Sequence, residues 1–170
     1  DITYEAGNNI NMLAGTATYN SDMTKKGYNT SISAGTAGLG YSVGAGVLEA
    51  NSKTRSTSYT NSISEAEQGR ITFISGSDML ASGLTAKGDS ILMEIEGNLT
   101  LESLQDTYYS KDRSQSFGGN AGSPGGAGIK ASLSKGDADR EWVGEQTSII
   151  ASGVADITVG NKTTLKGAVI

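Results

Sequence analysis

The residues with the greatest capacity for chemistry are Asp137-Ala-Asp139-Arg140-Glu141, the densest charged cluster, beside the only tryptophan, Trp142. Paired carboxylates of this kind can hold calcium, or serve as acid and base in glycoside hydrolysis. The segment has no glycine at the EF-hand turn position and no glutamate closing the loop, so a calcium loop of that type is not supported. The chain has neither histidine nor cysteine, which removes the commonest general base, thiol nucleophiles and the usual zinc sets. Carboxylate, Lys, Arg, Tyr and Ser chemistry is what remains. A glycine run near a lysine, Gly125-Gly-Ala-Gly128-Ile-Lys130-Ala-Ser132, lacks the Gly-Lys-Ser/Thr end of a phosphate loop. It also lacks the Asp of calcium-binding nonapeptide repeats. The acidic cluster is therefore expected at the solvated end of a hairpin, with Trp142 packing its ring against the body of the protein. No catalytic, cofactor-binding or metal-ligating residue is assigned, no cofactor is expected, and the chain reads as a non-enzyme.

The elements that would position such residues are most legible between Ile71 and Asp106. Ile71/Phe73, Ile91/Met93/Ile95 and Leu99/Leu101 fall on every second residue, in runs too short for helices. That spacing predicts strands with one buried face. Ile71 and Ile91 lie about 20 residues apart, the step of one turn of a coiled β-solenoid, in which each turn buries its apolar face only by stacking on the next. Composition agrees. Hydrophobic residues make up 36% and aromatics 6%, with 24 glycines and one proline. Such a chain fills a narrow interior more readily than a wide barrel.

Gly7-Asn8-Asn9, Gly97-Asn98 and Gly160-Asn161 each precede a strand-like run, and Gly and Asn enter tight corners most cheaply. Asparagines at such corners can stack into ladders along a solenoid. The block from Gly7 to Asp22 aligns without gaps to Gly97–Asp112, and the block starting at Ile71 resembles that starting at Ile157 when the second is two residues shorter. A unit of about 90 residues thus occurs twice. Between the blocks, Leu39-Gly-Tyr41-Ser-Val43-Gly-Ala45-Gly-Val47 and Gly118–Gly126 with Ala127-Gly-Ile129-Lys-Ala131-Ser-Leu133 predict long β-hairpins. Such strands would have one packed face; outer-membrane barrel strands alternate in the same way, but a soluble hairpin lying on its own rod is the preferred reading. The expected organisation is one β-helix with rungs over 1–21, 63–111 and 148–170, and extra-helical hairpins over 22–62 and 112–147.

The formal net charge is -5, and Lys25-Lys26 and Lys111-Asp112-Arg113 are short and mixed, so nucleic acid is excluded as a partner. No apolar run is long enough for a transmembrane helix. The sequence opens inside a strand-like pattern without a signal peptide and is expected to be a piece of something longer. The absence of cysteine suits an exported chain that crosses a membrane unfolded.

Ile74-Ser-Gly-Ser-Asp-Met-Leu-Ala-Ser-Gly83 and Gly97-Asn-Leu-Thr-Leu-Glu-Ser-Leu-Gln-Asp106, followed by a Gly/Ser-rich excursion and then Thr147–Ile170, resemble the haemagglutinin repeat of filamentous-haemagglutinin-type exoproteins. These leave Gram-negative bacteria by two-partner secretion and include effectors of contact-dependent growth inhibition. The resemblance implies a right-handed parallel β-helix with extruded antiparallel hairpins, secreted to the cell surface. It implies an outer-membrane secretion partner, flanking repeats of the same chain, and contact with a target-cell surface or outer membrane. Adhesion or toxin delivery would be the role. The rival reading is a β-helix polysaccharide lyase or hydrolase, which needs Asp, Lys and Arg clustered from neighbouring rungs; here the charges fall mostly in excursions and turns.

Overall fold

A computed structural model describes residues 1–34, 40–123 and 126–170. Leu39, which opens the first alternating run, and Pro124 and Gly125 of the glycine cluster lie outside the described residues. Twelve strands and no helix occur among the described residues: β1 Ile2–Ala6, β2 Ile10–Leu13, β3 Gly15–Ala34, β4 Tyr41–Thr60, β5 Ser62–Ser75, β6 Met79–Ser82, β7 Leu84–Ile95, β8 Leu99–Glu102, β9 Asp106–Ser123, β10 Gly126–Trp142, β11 Ser148–Val159 and β12 Thr163–Lys166. They form two units, one of residues 1–18, 57–107 and 141–170, the other of residues 19–56 and 108–140.

The first unit holds two parallel sheets, ordered β1-β5-β7-β11 and β2-β6-β8-β12. Each pass of the chain supplies one strand to each sheet, so β1/β2, β5/β6, β7/β8 and β11/β12 are four successive rungs. This all-β arrangement is consistent with a β-helix or solenoid. The alternation seen in the sequence sets the register. Ile71 pairs with Ile91, one rung on, and Tyr4, Phe73, Met93 and Ile157 form a column across all four rungs. The Tyr4 and Phe73 rings stack with centroids 5.1 Å apart. Ile71, Phe73, Met79, Leu84, Ile91, Met93, Leu99 and Leu101 are buried in one contiguous core. Each slim side chain closes over its equivalent on the next rung, which is how strands of four residues bury their apolar atoms at all.

The stacking corrects two details of the repeat. Ile10 and Leu99 both pair with Met79, so the two Gly-Asn blocks align one residue out of the gap-free match. Ile157 occupies the column of Phe73 and not that of Ile71, after which the later block follows the earlier one without a gap as far as Gly167 opposite Gly83. The corners form a mixed ladder and not one of asparagines alone. The Asp78 amide donates to Asn9 Oδ1 at 3.1 Å, and Asp78 Oδ1 accepts from the Asn98 amide and side chain at 2.7 and 2.9 Å. Glycine at these corners answers to close approach: a Cβ on Gly76 would collide with the Gly7 carbonyl, and one on Gly160 with the Glu96 carbonyl.

The far end of each rung shows where the long strands leave the stack. Between β6 and β7 the chain turns through Gly83 alone, at φ 78°, and Gly167 takes the same left-handed form at φ 65°. At the equivalent place in the first rung the chain departs at Ala14 into β3 and returns at Asn61; in the third it departs at Ser103 and returns at Gln146. Long excursions therefore occupy alternate corners. Thr147, fully buried, knits one of these corners together. Its Oγ1 accepts from the Gly83 and Leu84 amides at 3.0 and 3.3 Å and donates to the Glu102 carbonyl at 2.6 Å.

The second unit is a single four-stranded sheet in the order β10-β9-β4-β3. Its cross-strand partners run in opposite directions. Asp22 faces Lys53, Thr24 faces Asn51, Lys26 faces Glu49 and Ser33 faces Ser42, so β3 and β4 are antiparallel. Gln115 meets Glu49 while Asn120 lies by Gly44, and Asp112 lies by Gly136 while Asn120 lies by Gly128, which makes β4/β9 and β9/β10 antiparallel too. None of the buried core side chains belongs to this sheet.

Candidate functional site

The acidic cluster that opened the sequence reading sits at the end of β10, with Asp137, Asp139 and Glu141 all exposed. Successive residues of a strand point to opposite faces, so Asp137 and Asp139 share a face while Arg140 lies on the other. No group of three His, Cys, Asp or Glu side chains suited to a metal occurs among the described residues. Trp142 is 45% exposed and lies near Gly144.

Charges that meet across rungs do so as single pairs. Lys87 Nζ lies 3.2 Å from Glu65, and Lys166 Nζ 3.4 Å from Glu102. Glu102 is the more constrained of these carboxylates. Ser82, directly across on the preceding rung, donates its hydroxyl to Oε1, and this bond with the Lys166 charge holds the Glu102 carboxyl below its usual range against the opposing effect of burial. Asp112 is likewise held low, by the hydroxyls of Ser52 and Ser110. Apart from the Ser110–Asp112 bond, which runs along one strand, these are contacts between neighbouring strands. They do not gather the Asp, Lys and Arg side chains that cleavage of an acidic sugar polymer requires.

The feature with capacity for contact is the antiparallel sheet of the second unit, because its two faces differ. On one, Tyr28, Val47, Phe117 and Leu133 line an open depression of about 620 Å³, rimmed by Lys26, Glu49 and Gln115. Ile32, Val43 and Ile129 share that face by the two-residue alternation of their strands. Tyr28, Ile32, Ile129 and Leu133 are each at least 75% exposed. The opposite face carries glycines set against small polar side chains. A Cβ on Gly44 would stand 2.7 Å from Ser31 Oγ, one on Gly128 3.0 Å from Asn120 Oδ1, and one on Gly46 would collide with Asn29 Oδ1. A contiguous apolar face of this kind on a water-exposed sheet marks an interaction surface. The alternating runs at Tyr41–Val47 and Ala127–Leu133 announce strands with two unlike faces, but the apolar face they would have packed is exposed here; no single-residue signal foretold that Tyr28 and Phe117 would meet on it.

The model of the hemagglutinin repeat family matches residues 1–119. The chain belongs to that family. It is similar to the tRNA nuclease CdiA of Yersinia mollaretii, at 32% identity over 99% of this chain and 6% of the relative. It is also similar to the toxin CdiA of Escherichia coli, at 35% identity over 85% of the chain and 5% of the relative, and to the deoxyribonuclease CdiA of Dickeya dadantii, at 34% over 100% and 5%. The hemagglutinin-repeat chain thus spans about one-twentieth of the length of the relatives it matches, and the nuclease names describe those whole proteins. No solved structure matches it.

Proposed function

We propose that this chain is a non-enzymatic stalk segment of a large secreted surface exoprotein, of the adhesin or contact-dependent toxin-delivery kind. In this reading it forms a right-handed parallel β-helix with antiparallel hairpins extruded from it, rungs over 1–21, 63–111 and 148–170 and hairpins over 22–62 and 112–147. Flanking repeats of the same polypeptide continue it, an outer-membrane partner of its own cell exports it, and it works outside that Gram-negative cell. The observation that supports this most is the column running through Tyr4, Phe73, Met93 and Ile157, since it leaves each rung dependent on its neighbours. Stacked repeats of that sort give length and stiffness. The exposed apolar face of Tyr28, Val47, Phe117 and Leu133 supports a further step, in which the hairpins meet a target cell's outer membrane while a toxin passes.

Flotation of the purified chain with outer-membrane vesicles tests the membrane step. Co-flotation that falls when Phe117 and Leu133 are both replaced by serine is expected. Failure to float would leave the stalk role and remove the membrane from it. Release of reducing or unsaturated sugar from acidic polysaccharides would instead replace the whole reading with that of a lyase or hydrolase.

A further inference from the structure

The antiparallel sheet of the second unit ends in two open edges, β3 with 20 residues and β10 with 17. Strands of that length with unpaired amides and carbonyls are templates for another strand. No proline, which would blunt an edge, interrupts either strand as described. The centre of the same sheet shows what an edge of this kind accepts. The join between β4 and β9 is an edge-to-edge pairing of two hairpins, β3–β4 and β9–β10, that leave equivalent corners of two successive repeats.

We propose that this join recurs at both edges: β10 pairs with the outgoing hairpin strand of the following repeat, and β3 with the returning strand of the preceding one. The occupant is a second hairpin of the same type within the same exoprotein. This goes beyond the stalk reading and does not need the membrane.

Spacing makes the continuation possible. Each repeat contributes two rungs to each parallel sheet and two strands to the antiparallel sheet. Neighbouring strands in any sheet lie about 4.8 Å apart, so all three sheets lengthen by about 10 Å per repeat. Direction also fits, since an outgoing strand is antiparallel to the returning strand before it, as β9 is to β4. Chemistry fits as well. The register follows from the rungs: Ile10 and Leu99 share a column 89 residues apart, and Phe73 and Ile157 share one 84 residues apart. The first step carries Tyr28 to Phe117 and the second carries Val47 to Ala131. Val47 and Phe117 line the same depression on facing strands. Ala131 of one repeat would therefore stand opposite Tyr28 of the next, and the apolar face would run on unbroken while glycine and serine stayed on the other.

The test uses two copies of the chain in one polypeptide. Val169 pairs with Ser148, which also pairs with Thr85, so Ile170 takes the place of Ala86; Asp1 lies opposite Arg70, which pairs with Ser90. The three residues Lys87-Gly88-Asp89 between these positions are the in-phase linker. The protein contains no cysteine, so an introduced pair reports alone. Ala131→Cys in the first copy and Tyr28→Cys in the second should form a disulfide on mild oxidation, read by thiol titration and peptide mapping. Asn29→Cys in place of Tyr28→Cys aims at the opposite face and should react at least tenfold more slowly. Val47→Cys with Phe117→Cys inside one copy of the same tandem verifies that the hairpins have folded. If that internal pair oxidises while Ala131→Cys/Tyr28→Cys stays as reduced as the mismatched pair, the edges do not join and the proposal is wrong.

Discussion

Replacing Thr147 by valine keeps the shape of a fully buried side chain and removes one oxygen. The hydroxyl that disappears accepts from the Leu84 amide at 3.3 Å and the Gly83 amide at 3.0 Å, and donates to the Glu102 carbonyl at 2.6 Å. Gly83 keeps a partner, because its amide also reaches the Glu102 carbonyl at 3.0 Å. Leu84 loses this acceptor within the core, and Glu102 loses one of its two donors. Leaving a buried donor unsatisfied costs about 1–3 kcal/mol and each lost bond about 1 kcal/mol, so Thr147→Val should destabilise by about 2–4 kcal/mol. Thr147→Ser retains the oxygen and deletes one methyl, at a cost of about 1 kcal/mol. In a chain of this size each kcal/mol moves Tm by about 2–4 °C, which puts the valine variant about 4–16 °C below the parent and the serine variant about 2–4 °C below. Calorimetry and urea unfolding on all three proteins measure the order. A valine variant as stable as the serine one would refute the claim that this hydroxyl, and not the bulk of the side chain, holds the corner.

Three further outcomes follow from single positions. Gly83→Ala places a Cβ 2.5 Å from that of Ala14 in a backbone at φ 78°, so it should cost about 2–3 kcal/mol from the left-handed conformation and crowding together, measured as a fall in the urea midpoint. Gly76→Ala should lose stability by a similar order, about 2 kcal/mol, because its Cβ would collide with backbone atoms of Gly7, whereas Gly7→Ala meets open space and should change the midpoint by under about 0.5 kcal/mol. Glu102→Gln should cost about 0.5 kcal/mol at pH 7, a figure held down by the exposure of Lys166 to solvent. Since the Glu102 carboxyl is lowered from 4.5 in the folded state, its stabilising effect is full above that value and is lost as pH falls through the folded one, so parent and variant should converge in acid. A difference that persists in acid would mean the carboxylate's charge is not its source.

The column at Ile71 and Ile91 was open to sequence reasoning because period-two alternation and a constant step are both local. Each side chain's role is decided by a neighbour that looks like itself, so one rung announces the next. The register of the outer rungs was harder. Gly7-Asn8-Asn9-Ile10 carries one more corner residue than Gly97-Asn98-Leu99, and identity pulls the alignment toward the Gly-Asn pair while stacking obeys Ile10 and Leu99. Buried apolar contact outweighs a matching turn dipeptide, and only the three-dimensional pairing shows which won. The corner ladder was half legible for a similar reason. Asp78 satisfies the same amides as asparagine would, so a search for stacked asparagines passes over it.

The unequal distribution of apolar side chains is the deeper consequence. The buried core belongs to the rungs, while Tyr28, Ile32, Val43, Val47, Phe117, Ile129 and Leu133 stay exposed on a sheet one layer thick. A sheet with no covered face draws its stability from ladder bonds and cross-strand pairs, each contributing about 0.2–1 kcal/mol, and such a sheet is marginal in water. Its exposed residues are therefore poorly explained as structural. If they served only solubility or spacing, serine and lysine would do better at these positions, as they do at most positions of the glycine-bearing face behind them, where Met23 and Leu48 are the large apolar side chains. The bias of large apolar side chains toward one face, and of glycine and serine toward the other, suits a surface that stays extended in water with one side open to contact.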